Sequence, residues 1–289
     1  MQKKIEIKIT EKENGLVLRT VLSKCGLTRH EISRLKFSGG IFVNDEAAKV
    51  NHRMKRGDVV TLLFHETASI RLGCPDIRPD ILYEDEDLII VNKPAGMPCH
   101  PSHHHIGDDM GTLLQTYYQE ENFTIRAIGR LDKDVSGVMC YAKNQPSAAR
   151  LSRERSGDVL HKTYLAIAEG SFEKKKGTLE YRLAKEEGRK DRVISEKGKL
   201  CITDYEVIRE ADGNSLLLIS ICTGRTHQIR AGMAEAGHPL LGDALYGGRT
   251  DQIARPALHC FSITLKQPFT GEEIKMEAPL PEDMKKITG

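Results

Sequence analysis

The chain has 289 residues, of which 39% are hydrophobic, and its 43 Lys and Arg residues nearly balance 41 Asp and Glu residues. A chain of this length predicts one large domain and one small domain. No apolar run is long enough to cross a membrane and no secretory apolar core lies near the start, which favours a cytoplasmic protein without membrane attachment. Seven scattered cysteines without a Cys-x-x-Cys pair indicate reduced thiols rather than a disulfide framework.

The positive charge is concentrated at the N-terminal end. Residues 1–65 contain thirteen Lys and Arg against seven Asp and Glu, a net charge of +6, which leaves −4 for the remainder. A basic end on a nearly neutral body predicts an electrostatic contact with a polyanion such as a nucleic acid. A charge run of this kind can also be only a solvated face, and both interpretations stay open here.

The N-terminal pattern predicts two short helices and a small sheet. Apolar residues recur at helical spacing over residues 18–25. Thr28 precedes Glu31 by three positions, which is the spacing of a capping box and predicts the start of a second helix. Strands are predicted at residues 41–43 and 59–64.

A composition change then separates two domains. Residues 69–80, which contain Gly73, Pro75 and Pro79, predict a linker. We expect an N-terminal domain of residues 1–68 and a second domain of residues 81–289. The second domain opens with a strand at 81–83, a turn of four acidic residues and a buried strand at 88–92.

A run of histidines, at position 100 and at positions 103–105, invites interpretation as a metal site. It lacks the ordered spacing of Cys, His and carboxylate ligands that zinc sites show, and adjacent histidines in a strand point apart. We therefore expect a polar loop and no metal.

The rest of the chain mixes strands with few helices, which predicts an α+β fold. Strands are predicted at 162–168, 203–207, 215–221, 258–259 and 263–266, helices at 111–118 and 146–155, and an exposed charged hairpin at 172–199.

The most informative stretch is 129–137, Gly-Arg-Leu-Asp-Lys-Asp-Val-Ser-Gly, which is followed by an apolar strand. Arg130 and Asp132 point the same way if the segment is extended, because side chains alternate along a strand. That geometry places a cation beside a carboxylate. Judged alone, the pair is as well explained by a surface ion pair.

The amino-acid sequence of this stretch resembles the Arg-Leu-Asp-x-x-(Thr/Ser)-Ser-Gly motif of the RluA-type pseudouridine synthases. Roughly residues 80–289 carry the resemblance, since further family-like stretches occur in the expected order. They are 92–96, 162–164, 224–230, and the pair 237–239 with 242–247.

The resemblance implies a catalytic domain with a long mixed, mostly antiparallel sheet and a central cleft. The N-terminal pattern is similar to the α-L RNA-binding domain, in which Arg29, Arg34 and Lys36 would contact phosphates. The implied partner is RNA, with ribosomal RNA favoured and transfer RNA possible, and the implied state is a monomer. Lys93 is expected to pack beneath the active site in a structural role.

The family reaction breaks the uridine N1–C1′ bond, turns the base and rejoins it through C5. Nothing is added or lost, so no cofactor is expected. By resemblance Asp132 is the nucleophile, which attacks either C1′ or C6. Arg230 would keep that carboxylate ionised, Tyr164 would stack on the flipped base and help move a proton at C5, and Arg130 would fill the space that the base leaves.

The sequence departs from the family pattern at three places. Gly129 stands where many members have histidine, Val135 replaces a threonine, and Ala231-Gly232 replaces Val-His. These departures bear on substrate fit more than on activity, because none removes Asp132 or its two expected partners.

Two alternatives come from other functional classes. An inactive RNA-binding relative would keep the basic N-terminal domain but could lose the nucleophile or its partner. A glycoside hydrolase would pair Asp132 with a second carboxylate such as Asp134. Two carboxylates on one short segment can hardly flank a bond from both sides, so this pairing is disfavoured.

Overall fold

The computed structural model describes residues 2–65, 77–101, 107–118, 124–154, 160–189 and 191–288. These residues form two β-sheets, one of four strands and one of eleven, each with its own hydrophobic core. Helices pack against both sheets, which confirms the predicted α+β class.

The first sheet has the strand order β1-β4-β2-β3 and is covered by two helices. Apolar side chains from both helices are buried against it, which matches the predicted helical periodicity. Its elements are β1 (Gln2–Lys8), α1 (Leu18–Lys24), α2 (Arg29–Ser38), β2 (Ile41–Val43), β3 (Glu46–Ala47) and β4 (Val59–His65).

Helix α2 begins where the capping box predicts. The Thr28 hydroxyl accepts the Glu31 backbone N–H at 3.2 Å, and the Glu31 carboxylate accepts the Thr28 N–H at 2.7 Å. These two bonds satisfy backbone donors that the first turn of a helix leaves free. Strand β1 was not anticipated from the sequence, because its alternating Lys and Ile residues lie in a charged segment. It pairs with β4 along its whole length.

The second sheet has the central order β11-β10-β12-β13-β9-β14-β8-β6-β5, with β15 on β14 and β7 on β8. The pair β8–β14 is parallel, and the other strand pairs among the described residues are antiparallel. The predicted mixed, mostly antiparallel sheet is therefore confirmed. Its elements are β5 (Ile81–Glu84), β6 (Leu88–Lys93), α3 (Met110–Tyr117), β7 (Arg126–Ile128), β8 (Ser136–Ala142), α4 (Gln145–Glu154), β9 (His161–Glu169), β10 (Lys176–Ala184), β11 (Val193–Ile194), β12 (Lys199–Ala211), β13 (Asn214–Ile221), α5 (Gln228–Glu235), β14 (Leu258–Lys266), β15 (Glu273–Glu277) and α6 (Glu282–Thr288).

Strand β8 lies inside this sheet between β14 and β6, and all seven of its residues are buried. A strand that is buried on both faces needs apolar residues at consecutive positions, which the sequence from Val138 to Ala142 supplies. Because β8 follows the 129–135 segment directly, that segment lies at the end of a rigid, fully covered strand.

Two predicted features differ in detail from the structure. Strand β14 is continuous, with a register shift between Cys260 and Ser262 where two separate strands were expected. Helices α5 and α6 were not predicted, because their polar and small residues give only a weak apolar repeat. The correction matters for α5, since this helix carries Arg230 in its first turn.

A buried carboxylate joins the two sheets. Lys3 Nζ on β1 lies 2.8 Å from Asp87 Oδ1, and Asp87 also accepts hydrogen bonds from Asn144 at 2.8 Å and Gln267 at 2.9 Å. Because the Asp87 side chain is 5% exposed, its charge needs these partners. The contact therefore orients the N-terminal sheet against the larger one.

Part of the expected organisation lies outside the described residues. The first part of the expected linker, 69–76, and the histidines at 103–105 belong to the undescribed segments. The domain boundaries at 68 and 81 remain a prediction. None of the helices in the described ranges is long and apolar enough to cross a bilayer.

The first testable prediction concerns Gly137, where β8 passes closest to β14. Gly137 has φ 111°, and a Cβ there would lie 2.2 Å from the Cys260 carbonyl oxygen. Gly137→Ala combines left-handed strain with displacement of a backbone, so we expect it to lower the free energy of unfolding by about 3 kcal/mol or more.

The matched control is Gly213→Ala in the β12–β13 turn. Gly213 has φ 74° and no atom within 4 Å of an added Cβ, so this change tests the strain alone and should cost about 1–2 kcal/mol. Urea unfolding of both variants gives the comparison. Equal losses would contradict the proposed role of the close strand approach.

Candidate active site

The segment that carries Asp132 is held from beneath by a buried lysine. Lys93 is fully buried, and its ammonium donates to the carbonyls of Pro94 and Met97 at 2.8 Å and of Lys133 at 3.1 Å. Burial lowers the pKa of Lys93 to about 8. The three carbonyl acceptors compensate for the water that the ammonium loses. Lys93 thus packs beneath the Asp132 loop, which is the structural position expected for it.

A buried thiol fixes the same loop from another direction. Cys99 Sγ accepts the Leu131 N–H at 3.2 Å, and it lies at the same distance from the Leu131 carbonyl oxygen, to which it donates. The loop closes with a turn in which the Asp132 carbonyl accepts the Val135 N–H at 3.2 Å. Backbone groups on both sides of Asp132 therefore have partners, and the carboxylate is presented from a restrained backbone.

Arg230 contacts two carboxylates at once. Its Nη1 donates to Asp132 Oδ2 at 3.3 Å, while Nε and Nη2 donate to the two oxygens of Asp243 at 2.7 and 2.8 Å. Asp243 is only 1% exposed, so the bidentate pair is sealed from water. Burial alone would lower the pKa of Arg230, but the bonds to Asp243 and the charge of Asp132 raise it on balance.

Among the described residues, the cationic and imidazole groups near the Asp132 carboxylate lie close to one of its two oxygens, Oδ2. His227 Nε2 lies 3.8 Å from Oδ2, the same oxygen that Arg230 contacts. Within the described part of the chain, Oδ1 accepts no hydrogen bond from the protein. The side chain is 17% exposed.

Tyr164 stands on β9 beside this carboxylate. Asp132, Tyr164 and Arg230 share a recess of about 60 Å³, whose walls include the apolar side chains of Ile221 and Leu258. Burial raises the pKa of the Tyr164 phenol well above its ordinary value, and the charge of Asp132 acts in the same direction. The phenol therefore keeps its proton at neutral pH.

Two larger cavities meet at Asp132. One of about 410 Å³ contains Tyr164 and basic residues such as Lys162 and Arg225. The other, of about 600 Å³, contains Arg230 and Asp243. Arg130 lines both cavities and is exposed. The predicted central cleft is thus present, with Asp132 at its middle.

The three N-terminal cations that the sequence singled out lie on α2 and are exposed. Arg29 and Lys36 face solvent. Arg34 instead donates a hydrogen bond from Nη1 to the Gln145 side chain at the start of α4, so it helps join α2 to the larger sheet. None of the three lines the cavities around Asp132.

The structure gives a physical reason for each departure from the family pattern. Gly129 has φ 77°, a backbone conformation that favours glycine. Val135 is buried in the apolar core, where a threonine hydroxyl would need a partner. A Cβ on Gly232 would lie 2.3 Å from Tyr181 Oη, so the tyrosine occupies the space of the missing side chain.

Sequence reasoning missed Asp243, His227 and Tyr246 as members of the site. All three lie within stretches already singled out, at 224–230 and 242–247. Their position within these two motifs was the sequence signal that could have identified them. Only the fold shows that the second stretch packs against the first. Asp134, by contrast, is exposed and makes no contact with Asp132 in the structure.

Comparison with known proteins agrees with this geometry. A sequence model described as RNA pseudouridylate synthase matches residues 87–235. The RNA pseudouridine synthase YhcT of Bacillus subtilis strain 168 is 35% identical over 98% of this chain and 96% of its own length. The ribosomal large subunit pseudouridine synthase D of Vibrio parahaemolyticus is 34% identical over 89% of this chain and 85% of its own.

Among solved structures, human RNA pseudouridylate synthase domain containing 1 superposes with a TM-score of 0.60. It is 26% identical, and the match covers 72% of this chain and 85% of the human one. The order of motifs, the fold and the extent of these matches agree. The chain therefore belongs to the RluA-type family of RNA pseudouridine synthases, isomerases that convert uridine to pseudouridine in RNA.

Proposed function

We propose that this enzyme isomerises particular uridines in structured RNA, ribosomal RNA above all, with Asp132 as nucleophile on a base flipped out of its stack. The observation that carries the proposal is the Asp132–Arg230 pair at 3.3 Å at the meeting point of two cavities. A carboxylate that attacks must be ionised, and an adjacent cation favours that form.

The recess beside Asp132, whose walls include the apolar side chains of Ile221 and Leu258, supports stacking as the role of Tyr164. Flipping a base out of its stack costs a few kcal/mol of free energy. Stacking of the flipped base on an aromatic side chain offsets about 1–3 kcal/mol of that cost. Because burial keeps the phenol protonated, Tyr164 is better suited to stack and to donate a hydrogen bond than to remove the C5 proton. We assign it the stacking role.

The proposed substrate class, ribosomal RNA, is supported by the name of a related enzyme and by the positive charge of the N-terminal residues. The Vibrio parahaemolyticus relative is a ribosomal large subunit enzyme by name. The net charge of +6 on residues 1–65 suits a phosphate backbone, and Arg29 and Lys36 on α2 have the exposure that phosphate contacts require. We propose that residues 1–68 act as an α-L-type RNA-binding domain and that the enzyme works in the cytoplasm as a monomer.

Replacement of the nucleophile gives the most direct test. Asp132→Asn keeps the size of the side chain but removes the charge, so we expect the isomerisation rate to fall by about 10⁴-fold or more while RNA binding changes little. Conversion of uridine to pseudouridine in a ribosomal RNA fragment is the measurement, with Asp134→Asn as the matched control. An active Asp132→Asn enzyme would remove this residue from the role.

Arg130 and Arg230 are assigned different tasks, which two substrates can separate. We expect Arg130→Met to slow single-turnover isomerisation more on a stem-loop than on a matched single strand, because only the stem-loop must be opened. Loss of Arg230 should slow both substrates equally, since it affects the chemical step.

The Arg230 variant needs a compensating change. Arg230→Met alone would leave the buried Asp243 carboxylate unpaired, which costs about 3–5 kcal/mol of stability. The double variant Arg230→Met/Asp243→Asn removes both charges and is the appropriate comparison. If Arg130→Met slows both substrates to the same extent, Arg130 belongs to the chemical step and not to base flipping.

The N-terminal charge is tested by salt dependence. Each lost phosphate contact reduces the slope of log affinity against log salt by about 0.7–0.9. We therefore expect Arg29→Gln/Lys36→Gln to reduce the slope by about 1.4–1.8. Lys286→Gln on α6, an equally exposed lysine, is the control. An unchanged slope in the double variant would mean that this face of α2 is only solvated.

A further inference from the structure

His227 is a titratable group in the site for which the proposed mechanism gives no role. Its Nε2 lies 3.8 Å from Asp132 Oδ2, and its side chain is 15% exposed. It precedes α5 by one residue, so the same short segment that carries Arg230 also brings an imidazole to the nucleophile.

The backbone of His227 is held in a conformation that few side chains adopt. Its φ is 58° and its ψ is 18°, in the left-handed region, and its side chain forms no cap on α5. Such strain persists only where the surroundings enforce it, and it is concentrated at functional sites. The ring lies beside Asp132 and does not cap the helix.

Tyr246 contacts the ring nitrogen of His227 that lies away from Asp132. Tyr246 Oη accepts the Arg192 backbone N–H at 2.7 Å and lies 3.0 Å from His227 Nδ1. The alternative acceptor for the phenol proton, the Arg192 carbonyl oxygen, is farther away at 3.4 Å. The shorter contact favours donation from the hydroxyl to Nδ1, which would place the proton of a neutral His227 on Nε2, facing Asp132.

The charges around the imidazole favour that neutral form. Burial lowers the pKa of His227, and the positive charges of Arg230 and Arg192 act in the same direction. Asp132 and Asp243 oppose the shift without reversing it. The ring is consequently uncharged at neutral pH, in agreement with the hydrogen bond that its Nδ1 accepts.

We propose that Tyr246 and His227 form a positioning relay that holds Asp132 Oδ2 and leaves Oδ1 as the attacking oxygen. Nη1 of Arg230 lies 3.3 Å and Nε2 of His227 lies 3.8 Å from Oδ2, so both groups are on the same side of the carboxylate. The inference rests on the proposed nucleophilic role of Asp132.

The relay works with an uncharged imidazole. When Oδ1 bonds to C1′, the N1–C1′ bond breaks and its electron pair leaves with the base; when Oδ1 bonds to C6, the C5–C6 π pair moves onto the base. In both cases the carboxylate becomes an ester and its negative charge passes to the base. A second cation beside Oδ2 would stabilise the free carboxylate more than the ester, and it would therefore raise the barrier. Protonation of His227 should slow the reaction for this reason.

The test is the pH dependence of single-turnover isomerisation on an RNA stem-loop from pH 5 to 9. We expect Tyr246→Phe to reduce the rate at pH 7.5 by roughly 3- to 10-fold with little change in RNA affinity. The acid limb of its profile should also move to higher pH, because the lost hydroxyl bonds only to an unprotonated Nδ1. Tyr205→Phe, which deletes a phenol hydroxyl outside the cavities, should match the wild-type profile.

A second variant, His227→Gln, keeps the proposal testable if Tyr246→Phe does not fold. His227→Gln places an amide N–H near the position of Nε2 but cannot titrate, so its profile should lack the histidine step and keep only the fall that carboxylates cause. Histidine NMR spectra of the full-length protein should show His227 as the Nε2–H tautomer in wild type and not in Tyr246→Phe.

The relay is overturned if the Tyr246→Phe profile has the wild-type shape, if His227→Gln keeps the histidine step, or if the wild-type tautomer is Nδ1–H. These outcomes leave the nucleophile untouched, because an inactive Asp132→Asn enzyme is a separate result. An active Asp132→Asn enzyme would instead remove the proposed function, while the NMR result on the tautomer would still stand.

Discussion

The site depends on one buried cation that serves two carboxylates. Arg230 uses Nε and Nη2 for Asp243 and has Nη1 left for Asp132. A guanidinium can divide its donors in this way because they form a planar fork, which a lysine ammonium lacks. Asp243 therefore fixes the orientation of Arg230, and Arg230 in turn fixes the position of the charge beside Asp132. The motif that contains Asp243 is thus linked to Asp132 through Arg230.

The larger sheet makes this arrangement rigid. Strand β8 approaches β14 so closely that Gly137 has no room for a Cβ, and the Asp132 loop enters this strand directly. Beneath the loop, the buried Lys93 ammonium and the Cys99 thiol bond to backbone atoms on both sides of Asp132. A restrained backbone lowers the cost of orienting the carboxylate for each reaction. The fold thus supplies the pre-organisation, and Arg230 supplies the charge.

The sequence predicted what local patterns encode and missed what the fold brings together. The capping box at Thr28 and the buried strand at 88–92 were predicted because their signals lie within a few residues. Helix α5 was missed, since its buried face includes Gln228 and Arg230, which a pattern of apolar residues does not reveal. The Arg230–Asp243 and His227–Tyr246 contacts join two stretches whose spacing implies no contact until the chain folds.

The unequal bonds of Arg230 bear on how a stabilised carboxylate can still react. Its bonds to the oxygens of Asp243 are 2.7 and 2.8 Å long, whereas its contact with Asp132 is 3.3 Å. Charge-assisted bonds weaken as they lengthen, so Arg230 is held mainly by Asp243 and binds Asp132 more weakly. Arg230 thus places a positive charge beside Asp132 without locking it in a tight ion pair. A nucleophile needs this balance, because its charge must be available to form a bond.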